Sequence, residues 1–153
     1  VALISSENFR QWVDGLSRLR ESLLLETPED SVTRVDATGP GHRRVFVRSA
    51  PGYWREAAGA ETLAVRSDGL ERMVLNTCQI RAVRFSQQSA ARDWPGEIRL
   101  LFLRSSGRTD TLRISPPRAG ISEAASRRQR GGCSISGDPY RAWSIWLERP
   151  LRP

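Results

Sequence analysis

Lysine is missing altogether from these 153 residues, and the chain holds one histidine, one methionine and two cysteines. Without lysine no Walker-type loop can reach a nucleotide phosphate, and the glycines spell no GxGxxG. The lone histidine, His42, stands in a Gly-Pro-Gly-His-Arg-Arg turn with no GxSxG nearby. General acid–base chemistry needs a second positioned group, so His42 reads as a surface residue. Cys78 and Cys133 lie outside any CxxC, and one histidine does not complete a zinc site with them at a familiar spacing. No metal and no cofactor is expected. The carboxylates Glu56, Glu61, Asp68, Glu71, Asp93, Glu97 and Asp110 are scattered. With no spacing that singles out a pair, the expectation is a protein that is not an enzyme. Long apolar runs are also missing: Leu23-Leu24-Leu25 is among the longest, against the ~20 residues a membrane helix needs. The chain opens at Val1 without Met, so the lack of a signal peptide excludes little.

What is present is arginine. Every basic residue is Arg, 24 against 17 acidic residues, for a formal charge of +7. Two accounts compete: arginine-rich coding in a high-GC genome, or a need for the planar donor fork that suits phosphate and carboxylate. The densest cluster is Arg127, Arg128 and Arg130, flanked by glycines. It is the candidate anion-binding site, acting mainly through electrostatics. The five tryptophans offer stacking surfaces, although Trp12 and Trp143 fall on expected core faces. The two cysteines permit one disulfide or two separate buried thiols.

The length fits a single domain over residues 1–153. Residues 5–26 read as an amphipathic helix. Phe9, Trp12, Val13, Leu16, Leu19, Leu23 and Leu24 recur at three- and four-residue spacing, and Pro28 ends the run. Residues 32–115 read as mainly β. Candidate strands are Val32–Ala37, Arg43–Ser49 with Val45 and Val47 on one face, Ile80–Phe85, Gly96–Arg104 and Thr109–Ser115. Between Leu63 and Leu75, Asp68-Gly69 signals a hairpin. The two apolar faces of Gly96–Arg104 predict a central strand covered on both sides. Residues 116–132, rich in Pro, Arg and Gly, read as a mobile loop. Residues 133–148 read as C-terminal β, with Tyr140–Glu148 as the last strand. The fold class expected is therefore α+β, an N-terminal amphipathic helix packed on an antiparallel sheet.

Three stretches carry a family resemblance: Leu63-Ala-Val-Arg-Ser-Asp-Gly-Leu-Glu-Arg72, Met73 to Phe85, and Trp94-Pro-Gly-Glu-Ile-Arg-Leu-Leu-Phe-Leu103. With the element order, they resemble minor pseudopilins of the J type of type II secretion, or the W-type minor type IV pilins, over roughly residues 5–114. The family's cleavage site and apolar N-terminal helix half are not in this sequence. The resemblance therefore implies the soluble part of a subunit whose full-length form is anchored in the inner membrane. It implies a pilin-like fold and a non-enzymatic structural role at a filament tip. It also implies a periplasmic or cell-envelope location and other pilin-like subunits as partners. The helix face Phe9, Trp12, Leu16, Leu19 and Leu23 would meet the sheet and the assembly. An oxidising compartment would favour a Cys78–Cys133 disulfide. The second expectation is a small basic nucleic-acid-binding module, such as a DNA-receiving minor pilin, using Arg127, Arg128 and Arg130. The sequence ranks it below the first.

Overall fold

A computed structural model describes residues 5, 7–10, 23–25, 27–58, 61–65, 67–89, 93–127, 131–135 and 137–149. A 3-10 turn at Glu29–Ser31 leads into β1 (Val32–Gly39), β2 (His42–Ala50), β3 (Tyr53–Ala58) and β4 (Glu61–Ala64). Helix α1 (Ser67–Cys78) and strand β5 (Ala82–Ser89) follow. Next come β6 (Ile98–Arg104), β7 (Thr109–Ile114), β8 (Ser122–Ser126), β9 (Gly131–Ile135) and helix α2 (Pro139–Glu148). The strands form one nine-stranded sheet in the order β4-β3-β2-β1-β6-β7-β8-β9-β5. Every pairing is antiparallel. Two meanders, β1–β4 and β6–β9, thus run outward from a central β1–β6 seam, and each is followed by a helix.

Strand alternation sends one set of side chains to a common face. Across the seam Val35 stands opposite Phe46 on one side and Phe102 on the other. Leu100 faces Leu112, Ile98 faces Ile114, and the rows continue through Ala124 to Cys133. All of these side chains are fully buried. Both helices close over this face. α1 presents Leu70, Met73, Val74, Thr77 and Cys78 and contacts β3, while α2 presents Trp143 and Leu147 and contacts β1, β2 and β6. The approach of α2 is close: a Cβ added to Gly39 would lie 2.6 Å from Leu147 Cδ1.

Two arginines of β2 fasten the helices to the sheet. Arg44 pairs with Glu56 of β3, donating from Nε to Oε1 at 2.7 Å, and both side chains are more than nine-tenths buried. Its Nη1 also donates to the carbonyls of Trp146 and Arg149, at the C-terminal end of α2, where unsatisfied carbonyls gather. Arg48 donates to the Asp30 carbonyl at 3.0 Å and pairs with Glu71 of α1, whose other oxygen accepts from Trp54 Nε1.

Several expectations are corrected. The fold is dominated by a nine-stranded sheet, and in the segment expected as a helix, residues 5–26, helical backbone is described only at residues 7–10. Phe9 is 58% exposed rather than packed. Leu23 forms a β-bridge to Arg81, and Leu24 N–H donates to the Ile80 carbonyl. This anchoring to the start of β5 places Leu24 and Leu25 in the core, where they are buried. Trp12, Leu16 and Leu19 lie outside the described residues. The expected Asp68-Gly69 hairpin is α1, because its buried residues recur at helical rather than alternating positions. The expected strand Tyr140–Glu148 is α2, started by the Asp138 cap and Pro139. The expected loop 116–132 contains β8 and the first residues of β9. Its small side chains Ser122 and Ala124 are buried in the sheet rows.

Candidate functional site

The face of the sheet turned away from α1 and α2 carries the concentration of charge. Residues alternate with the core set, so the register places Arg55 on β3, Arg43 on β2, Arg34 on β1, Arg99 on β6, Arg113 on β7 and Arg84 on β5 on this side. Two rows cross the strands. One runs Arg43–Thr38–Arg99–Arg113–Ala125. The other runs Arg55–Val47–Arg34–Leu103–Thr109. With strands ~4.8 Å apart, the first row sets three guanidinium stems across four adjacent strands. Between the rows lie Val45, Asp36 and Leu101, and Leu101 is 40% exposed.

Carboxylates hold these arginines in place. Asp36 accepts from Arg34 Nε at 2.6 Å and Nη2 at 3.0 Å, and from Arg43 Nη2 at 3.4 Å. The Arg34 hydrogen bonds keep the Asp36 carboxyl below its ordinary range. Glu97 accepts from Arg113 Nη2 at 2.7 Å and also pairs with Arg99. Burial works to raise its pKa, but the hydrogen bonds from Arg113 and Arg99 bring it below the ordinary value. Arg113 further reaches Asp93 Oδ1 at 3.1 Å and stacks its guanidinium 5.3 Å from the Trp94 ring centre. Asp36 thus serves two arginines and leaves one positive charge over, whereas Glu97 and Asp93 together balance Arg99 and Arg113.

Of the expected anion site, Arg127 is exposed just past β8 and lines a shallow hollow of about 410 Å³ with Thr111, Arg113 and Ala125. It therefore belongs to the same face. Arg128 and Arg130 lie outside the described residues. The open-face arginines Arg34, Arg43, Arg99 and Arg113 were missed as a group because they are far apart in sequence. Their signal was an arginine alternating with apolar residues in each strand. His42 is exposed at the start of β2.

The expected disulfide is not present: Cys78 and Cys133 are both buried and no bond joins them. Cys78 closes α1, whereas Cys133 sits in β9 on the core face, where its Sγ donates to the Ala124 carbonyl at 3.4 Å. Burial pushes the Cys133 thiol up to about 11.

A second concavity, of about 450 Å³, lies on the other side of the sheet, between the helices. Among the described residues no three His, Cys, Asp or Glu side chains converge as metal ligands, and no helix is long and apolar enough to cross a membrane. Comparison with family models, curated proteins and solved structures gives no match to this chain.

Proposed function

We propose that this chain is a non-enzymatic nucleic-acid-binding module that docks the phosphate backbone on the sheet face that α1 and α2 leave open. The observation that carries the reading is the in-register row Arg43–Thr38–Arg99–Arg113, backed by Arg34, Arg55, Arg84 and Arg127 on the same side. Guanidinium forks match phosphate oxygens, and carboxylates that fix the forks reduce the entropy lost on docking. Strands are an established way to present side chains to nucleic acid. The filament-subunit role rested on three resembling stretches and on an element order that opens with a long helix; the described residues form a nine-stranded sheet with a short helix at 7–10, and the open face supports the second of the expected roles.

The test is binding of a labelled duplex and of a labelled single strand across a salt series. The expected outcome is a linear fall of log affinity with log salt. A triple variant, Arg43→Gln, Arg55→Gln and Arg99→Gln, is expected to lower the slope by about two to three, roughly one unit per lost phosphate contact. No binding at low salt, or an unchanged slope in the triple variant, sinks the proposal. Equal affinity for poly-glutamate would replace nucleic acid with an acidic protein as the partner.

A further inference from the structure

We infer that the groove between α1 and α2 is a binding site for a small amphipathic carboxylate, independent of the open sheet face. Trp143 Nε1, midway along α2, donates to Thr77 Oγ1 in the last turn of α1 at 3.0 Å, and Gly69 at the start of α1 lies so close to the Trp146 ring that an added Cβ would meet it at 3.3 Å. Beside these contacts the helices part, leaving about 450 Å³. That volume is in the ~300–1,000 Å³ range of small-molecule sites.

The groove has one apolar body and one cationic shoulder. Met73, Ile80, Ala142 and Trp143 line its body, and Ile145 at its rim is 45% exposed. Arg72 and Asn76 supply donors from α1. Among the described residues Arg72 enters no ion pair. Among the described lining residues the one carboxylate, Asp138, accepts from the Arg141 N–H at 2.9 Å as the cap of α2. It stands at the N-terminal end of α2, whereas Arg72 lies one turn past Gly69, which meets Trp146 near the other end of α2. An apolar tail with a single carboxylate head fits this asymmetry. The tail covers Ile145 and the half-buried Ala142 and Trp146, and the head meets a planar fork that takes both its oxygens. A cationic head would meet repulsion at Arg72, and a neutral one would leave the fork unused.

The experiment titrates dodecanoate, dodecanol and dodecyltrimethylammonium into the full chain. Heat and tryptophan emission are both recorded, since Trp143 and Trp146 line the groove. The expected result is one dodecanoate per chain, with dodecanol weaker by roughly tenfold or more, as for loss of a hydrogen-bonded charge. Arg72→Gln, at an exposed position, is expected to erase the gap between dodecanoate and dodecanol at an unchanged melting temperature. Dodecanol binding as tightly as dodecanoate, a gap that survives Arg72→Gln, or no saturable binding at all overturns the proposal. None of these outcomes touches the nucleic-acid reading, because the groove and the open face lie on opposite sides of the sheet.

Discussion

At the scale of single residues, Cys133 shows what burial does to a nucleophile. Its thiol is fully buried, and its pKa stands at about 11 against an ordinary value of 9.0. The folded state therefore favours the protonated form. That contribution to stability is intact below pH 9 and is lost as pH rises through 11. The expected outcome is a thiol that resists alkylation at pH 8 until denaturant is added. A Cys133→Ala variant should also lose less stability between pH 8 and pH 11 than the parent, measured by urea midpoints. Rapid modification in the native state would contradict the packing. At this scale the sequence was legible only in part. In β2 it singled out Val45 and Val47, yet the buried residues are Phe46 and the stems of Arg44 and Arg48. Alternation gives two faces without saying which is covered, and a strand whose inner face holds arginines reads backwards. In β6 the inner set Ile98, Leu100 and Phe102 was legible, but Leu101 on the other side is exposed rather than covered.

At the scale of elements, the helices depend on the sheet for their ends. Arg44 neutralises Glu56 and satisfies carbonyls at the end of α2, so the ion pair acts as a rivet between three elements. Removing one member of a buried pair leaves the other charge unpaired, at a cost of about 3–5 kcal/mol. Glu56→Leu should lower the urea midpoint accordingly. Arg44→Met combined with Glu56→Leu should recover part of the loss, because two apolar side chains leave no buried charge. A double variant weaker than Glu56→Leu would show that the α2 carbonyl contacts outweigh the pair. Both helices were misread as strands. For α2 the signal was in the sequence: Asp138-Pro139 is a helix start, and Trp143 and Leu147 are four apart. For α1, Asp-Gly outweighed the spacing of Leu70, Met73, Val74 and Thr77, although Gly69 gives the Trp146 ring room to approach. Strand β8 had no legible signal. Its small residues have little β-propensity and earn their place only through neighbours on either side.

At the scale of the whole molecule, the sequence showed that β-strands would dominate the middle of the chain. It could not show their order. Consecutive strands were paired correctly in kind at β1–β2 and β6–β7, where short turns set the register. The seam joining Val35 to Phe102 and the edge joining Ala82 to Ile135 leave no local trace. That seam has a kinetic consequence. Each meander can zip from its own turns, but the loop closure that brings β1 beside β6 gives no return until both are formed. Refolding is expected in the millisecond-to-second range typical of non-local β topologies, followed by stopped-flow tryptophan fluorescence. Microsecond refolding would speak against the strand order. The seam also sets how the chain comes apart. Helix α2 belongs by sequence to the second meander, yet it is held by Arg44 of the first and packs on β1 and β2. The two meanders therefore clasp one another across their joint, and a backbone nick between α1 and β5 would leave two pieces that hold together without a covalent link.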